Sequence, residues 1–289
     1  MAWVNAIVQG ILLGGLYALL ATGLSLGFGV MRLVNLAHGD MAVLAAFLAM
    51  STSFALKVHP FVTLLLIVPG AFGVGYLLQR LVFDRLIGGD PALQIVATFG
   101  LSIVIENALL KKYTADTRGL QTGKFSSRSI RITDKLAVGW LPLVTFICGV
   151  TVIGLLALFI NRTKMGRAFR ATSDDPATAQ LVGVDKRRVH ATATGIAVTT
   201  VALAGVLIGA KSSFDPTTGP ANLIYAFEAV IIGGLGSLWG TLAGGIALGV
   251  AQAIGLKINP GYGELAGHLL FLTVLATRPR GMFGKLDNR

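Results

Sequence analysis

Residues Ala2 to Met31 read AWVNAIVQGILLGGLYALLATGLSLGFGVM, thirty consecutive positions without a charged side chain. A helix rises 1.5 Å per residue, so about 20 apolar residues cross the ~30 Å hydrocarbon layer of a bilayer, and this stretch reads as a membrane span. It lacks a basic leading region and far exceeds the roughly 7–15 apolar residues of a cleavable signal, so it is expected to be retained. Comparable uncharged runs follow at Val58–Gln79, Leu136–Asn161, Val189–Ala210 and Ala229–Leu256.

The rest of the composition agrees with a membrane chain. Of 289 residues 54% are apolar and 13% charged, about half the quarter carried by a typical soluble domain. A disordered chain is excluded and a soluble domain disfavoured. The one cysteine, Cys148, lies in an apolar run, which excludes an intrachain disulfide and a thiolate-built metal site. The net charge of +11 comes from 24 Lys and Arg placed mostly between apolar runs. Anionic membrane lipids and cytoplasmic partners explain that placement better than nucleic acid does.

Span counting gives six crossings, Ala2–Val30, Asn35–Leu56, Val58–Gln79, Pro91–Leu110, Leu136–Ile160 and Val189–Ala210, with a shorter last one at Glu264–Thr277. The run Leu223–Leu256 would make a helix about 51 Å long, too long for one crossing and short for two. A break is expected at Gly233-Gly-Leu-Gly-Ser-Leu-Trp-Gly240, because glycine costs roughly 1 kcal/mol relative to alanine inside a helix. The polar joint Arg32–Asp40 predicts a second break. The fold class is therefore all-α, a polytopic integral membrane protein with about 8–9 transmembrane helices, broken or re-entrant segments included, in a single domain over 1–289. Gly10–Gly14 and Gly240–Gly244 have the spacing of close helix contacts, but a chain with 37 glycines also produces such pairs by chance.

Sidedness follows from Lys and Arg. Placing the loop 162–188 in the cytoplasm and alternating outward leaves fourteen basic residues inside and ten outside, provided that 223–256 crosses twice or forms a re-entrant pair. That places loop 111–135 outside, residue 1 outside and residue 289 inside. Trp3 and Trp140 then fall at outer span ends, although aromatic belts occur at both faces.

Within the inside loop, Asp175 reads as an N-cap, Pro176 as the first helical position and Gly183 as the stop, giving a helix of about two turns. Ala177, Gln180, Leu181 and Val184 would share a face able to enter a groove on a partner. By themselves the residues favour an ordinary connecting loop. No phosphate-binding loop, zinc-protease motif or nucleophile elbow is present, so any ATP is expected on another chain.

Three stretches, Val34-Asn-Leu-Ala-His-Gly-Asp40, Gly166–Asp185 and Ala229–Ser237, resemble permeases of branched-chain amino acid ABC importers, specifically the shorter of the two permease subunits, over essentially the whole chain. The resemblance implies a transporter subunit that is not an enzyme and binds no cofactor, with ATP and Mg on partner ATPase subunits. The implied assembly has a second permease subunit, two cytoplasmic ATPases and a periplasmic or extracellular solute-binding protein, in a bacterial inner membrane. It also implies that Gly166–Asp185 is the coupling element, with Gly166, Arg167, Arg170, Asp174, Asp175, Pro176, Ala177, Leu181 and Gly183 serving ATPase coupling. No signature distinguishes the solute among branched-chain and other amino acids, urea, short amides and aromatic acids.

Acidic residues inside apolar runs are costly and point to function. Asn35, His38, Asp40, Glu106, Glu228 and the glycines Gly233, Gly234 and Gly236 are the candidates for pathway or gate. Each has a structural alternative. Asp40 can cap a helix or pair with Arg32, His38 can satisfy a backbone carbonyl, and Glu106 can pair with Lys111 or Lys112. Glu228 is expected to face a cavity, hydrated or paired by a neighbouring subunit, with an internal bond to a facing helix as the alternative. No residues stand at metal-ligand spacing, so no metal is expected. The competing function is an ion-coupled secondary transporter using Glu106, Glu228 and Asp40.

Overall fold

Thirty residues without a charge, alanine, glycine and leucine on every side, form one continuous helix, α1 (Ala2–Met31). It is the first element of a computed structural model that describes residues 2–86, 90–133 and 136–283. There follow α2 (His38–Leu56), α3 (Leu64–Leu81), a single 3₁₀ turn at Phe83–Arg85, α4 (Pro91–Tyr113), α5 (Lys124–Ser127), β1 (Ser129–Thr133) and β2 (Leu136–Gly139). The chain continues through α6 (Trp140–Arg162), α7 (Lys164–Asp174), α8 (Pro176–Leu181), α9 (Lys186–Lys211), α10 (Gly219–Gly233), α11 (Leu238–Ile258) and α12 (Tyr262–Thr277). Among the described residues, seven helices are long and apolar enough to cross a membrane, and α10 and α12 are shorter apolar helices.

Helices α1 and α9 form the centre, and α11 runs antiparallel along α1. The buried core joins Leu19, Leu20 and Leu24 of α1 to Val201 and Ala204 of α9 and to Val230 and Ile232 of α10. Peripheral α3, α4 and α6 keep leucines such as Leu65, Leu77 and Leu155 exposed, as lipid-facing helices do. Buried threonines cost little because their hydroxyls bond their own helix, Thr22 to the Ala18 carbonyl and Thr145 to that of Leu141. Gly10 and Gly14 do mark a close contact, lying against Gly249 and Gly245 of α11, and Gly240 and Gly244 lie against Gly233 and Ala229 of α10.

Both expected breaks occur. After α1, residues 32–37 turn back into the bundle, so that α2 starts beside Leu20, well inside the end of α1. After α9, residues 212–218 turn back from the opposite face, and α10 starts against the first turn of α2. The contact needs glycine on both sides: a Cβ on Gly39 would fall on the Gly219 carbonyl, and one on Gly219 on the Asp40 carboxylate. From this meeting point α2 and α10 run to opposite faces. Between α10 and α11 the chain reverses through Gly234 (φ 104°) and Gly236 (φ 78°), backbone that side chains with a Cβ adopt rarely. The α10 carbonyls left open there are satisfied by the chain after α12, with Met282 N–H donating to Ile232 O at 2.9 Å and Phe283 N–H to Gly233 O at 3.1 Å.

The connections fall on two faces. One face carries the Gln9 amide bonded to the Ala137 carbonyl and an antiparallel bridge between Arg118 and Phe214. The other carries α7, whose Ser173 hydroxyl bonds Gly29 O, and the Gly234–Ser237 turn. Lys135, Lys285 and Arg289, which enter the charge count, lie outside the described residues.

Three expectations need correction. The span expected at Leu136–Ile160 starts later: Leu136–Gly139 is a strand paired antiparallel with β1, and α6 begins at Trp140, where the chain leaves that hairpin. Residues 58–63 are turn, so the third span begins at Leu64. Loop 162–188 holds a full helix, α7, before the short capped one.

Candidate functional site

The α7–α8 unit is fixed at its base and open at its tip. The Thr163 hydroxyl caps α7 by accepting from Gly166 N–H at 2.9 Å. Phe169 buries against Leu26, Val30, Val189 and Ala193, which anchors α7 to α1 and α9. Asp175 then caps α8, accepting from the amides of Ala177 (2.9 Å) and Thr178 (3.2 Å) and from the Thr178 hydroxyl (2.5 Å). These bonds, the Thr178 hydroxyl first, hold the Asp175 carboxyl below its usual range. Pro176 takes the first helical position, and Gly183 leaves the helix at φ 86°.

Only Ala179 of α8 is buried, whereas Leu181 is 87% and Val182 75% exposed. Ala177 and Gln180 are exposed as expected, but Val184 turns inward against the Phe169 cluster, because the helix has already ended at Leu181. Arg167, Arg170 and Asp174 are exposed on α7, and Gly166 is buried against the end of α6.

At the meeting of α2 and α10, the Asn35 side-chain Oδ1 accepts from Ala37 N–H at 3.0 Å, and His38 Nε2–H donates to Leu20 O at 2.8 Å. Asp40 is 1% exposed, and its Oδ2 accepts from the Ser102 hydroxyl of α4 at 2.5 Å. The carboxylate lies in the first turn of α2 and against the first residue of α10, so the positive ends of two helix dipoles converge on it. Ala37, rather than Asp40, is the N-cap of α2. Among the described residues Asp40 makes no ion pair with Arg32, and Glu106, one turn beyond Ser102 on α4, makes none with Lys111 or Lys112.

Glu228 is 3% exposed and bonds His268 Nδ1 of α12 at 2.5 Å. One carboxylate oxygen is therefore partnered within this chain, the internal bond to a facing helix, because α12 folds back alongside α10, while Oε2 has no hydrogen-bond partner among the described residues. His268 stacks on Tyr225 (interplanar angle 6°), which stacks on Tyr17 at 5.1 Å. Tyr225 donates to Glu264 at 3.0 Å and Tyr17 to Gln252 at 2.6 Å. Four helices thus share one polar cluster.

Gly236 joins Arg170 and Asp174 around a cavity of about 250 Å³ between α1, α6, α7 and the start of α11. Residues expected to serve coupling and residues expected to form a gate are in this way brought to one place. Among the described residues, no three His, Cys, Asp or Glu side chains gather as a metal site would require.

Residues 6–277 match the family model described as branched-chain amino acid transport system / permease component. The chain belongs to this permease family. The permease is 27% identical to the high-affinity branched-chain amino acid transport system permease protein BraD of Pseudomonas aeruginosa, over 98% of this chain and 96% of that one. It is 28% identical to the corresponding protein LivH of Escherichia coli, over 96% and 94%. A probable branched-chain amino acid transport permease protein LivH of Methanocaldococcus jannaschii matches at 26% over 95% and 90%.

Sequence reasoning missed Tyr17, Ser102, Tyr225, Gln252, Glu264 and His268 of the permease. The signal available for part of the polar cluster was spacing: Tyr225 and Glu228 stand three apart on α10, and Glu264 and His268 four apart on α12, which puts each pair on one helix face. Ser102 and Gln252 gave no such signal, since each is a lone polar residue in an apolar run.

Proposed function

We propose that the permease is the membrane subunit of an ATP-driven importer of amino acids, branched-chain amino acids first among them. In this reading it pairs with a second permease subunit, receives solute from a periplasmic or extracellular binding protein, and is driven by two ATPase subunits that bind ATP and Mg. The membrane would be a bacterial cytoplasmic membrane, with residues 162–188 facing the cytoplasm and 111–135 outside. The full-length similarity to proteins named for branched-chain amino acid transport supports the solute class.

The observation that carries ATPase coupling is α8. A helix capped at its start and held to the bundle through α7 presents Leu181 and Val182 to solvent, with nothing among the described residues covering them. Apolar residues on a polar face of a membrane protein fit a groove on a soluble partner. An ion-coupled carrier has no need of such an element.

The test is solute-stimulated ATPase of the purified complex, with its binding protein and a panel of amino acids, amides and urea. Replacing Leu181 with Asp is expected to abolish stimulation, since a desolvated charge without a partner opposes docking. Stimulation at the wild-type level in an assembled Leu181→Asp complex would remove α8 from the docking surface.

A further inference from the structure

The cavity between α1, α6, α7 and the start of α11 has charges of both signs and an unused polar group. We propose that it is a binding subsite for a free α-amino acid, recognised as a zwitterion, on the face of the bundle that carries α8. The proposal rests on the reading above that the permease carries amino acids.

A volume of about 250 Å³ lies just below the ~300–1,000 Å³ of ligand clefts, which suits a solute of amino-acid size. Ser25 lines the cavity, is fully buried, and its hydroxyl has no hydrogen-bond partner. Buried hydroxyls are rarely left unpaired, so a group entering the cavity is its natural partner.

The positive side of the cavity is Arg170 together with the start of α11. Arg170 uses Nη1 alone, on the Ile160 carbonyl at 2.5 Å and the Asn161 side chain at 3.3 Å, which leaves its other guanidinium N–H groups to donate. Leu238, the first residue of α11, is in the wall, so the positive end of that helix dipole faces the cavity. A carboxylate is the group that guanidinium, hydroxyl and helix start would hold together.

The negative side is Asp174, one turn beyond Arg170 on α7, together with the carbonyl end of α1. Among the described residues Asp174 has no basic group within ion-pair distance, and Gly29 O, in the last turn of α1, already accepts from Ser173. An ammonium group is the natural partner there. Leu26, Val30 and Phe169 supply the apolar wall for an aliphatic side chain.

Equilibrium dialysis of the assembled complex in nanodiscs, without the binding protein, tests this with radiolabelled L-leucine as probe. Competitors are 4-methylpentanoate, which lacks the ammonium, and 3-methylbutylamine, which lacks the carboxylate. Arg170→Gln and Asp174→Asn are each expected to weaken leucine by at least about tenfold, the loss of one charge-assisted hydrogen bond. Arg170→Gln should also weaken 4-methylpentanoate but not 3-methylbutylamine, and Asp174→Asn the reverse. Ser25→Ala deletes only an unpartnered hydroxyl, so it keeps the fold and should weaken leucine several-fold. Absence of saturable leucine binding to the wild-type complex, or leucine affinities within twofold of wild type in all three variants, would overturn the proposal. Failure of every amino acid to stimulate ATPase, with variant-sensitive leucine binding retained, would instead count against the transport reading alone.

Discussion

Glu228 and His268 are forty positions apart in the chain and 2.5 Å apart in the fold. A carboxylate in an apolar run signals function or pairing, and the structure supplies the pairing. Since Gln can still bond the imidazole, Glu228→Gln is expected to keep the thermal midpoint of the purified complex close to wild type. Glu228→Ala deletes the bond to a His268 side chain that is 41% exposed, and should cost about 0.5–1.5 kcal/mol, seen as a lower midpoint. Equal midpoints for the Gln and Ala variants would mean that the contact contributes nothing to stability. His268 itself was not legible, because nothing in a short apolar run says which helix its face will meet.

At the scale of the element, α8 was legible and α7 was not. Asp175 followed by Pro176 states a helix start in two residues, and the structure forms α8 there. Helix α7 is polar overall and contains Gly166, so its signal was only the spacing of Met165, Phe169 and Thr172, which share its inward side. The cap makes a pH prediction. The Asp175 carboxyl titrates below its usual range, so its bonds to α8 are fully present above the unfolded value of about 3.9 and are lost as pH falls through the lower folded value. Amide exchange at Ala177 and Thr178, corrected for the intrinsic rate, should show constant protection from about pH 7 to 5 and a decline below about 4. Asp175→Ala should lower protection from about pH 7 to 5 and approach wild type as pH falls below about 4. Equal protection in wild type and variant at neutral pH would show that the cap does not hold α8.

For the whole molecule, the two faces make a prediction about the membrane. In a Cys148→Ser background, a cysteine at Asp116 is expected to react with an impermeant thiol reagent on intact cells, and one at Val182 only after permeabilisation. Both positions are exposed, so access to the reagent is decided by side. The reverse pattern would invert the topology and put α8 out of reach of a cytoplasmic ATPase.

The sequence by itself determined that the chain is a series of apolar helices, about 8–9 of them, with a reversal at Gly233–Gly240 and a helix start at α8. Each rests on a local quantity: the length of an uncharged run against the thickness of a bilayer, the cost of glycine in a helix, and a side chain that caps its own backbone. Only the tertiary structure decided that Gly39 and Gly219 meet, that Asp40 lies between the starts of two helices, and that His268 reaches Glu228. It also decided that Arg170, Asp174 and Gly236 share a cavity with Ser25. In a chain whose spans are apolar on nearly every side, hydrophobic patterning does not specify which faces touch. Close approach of small residues and the pairing of a few buried polar groups specify them, and both depend on residues far apart in the chain.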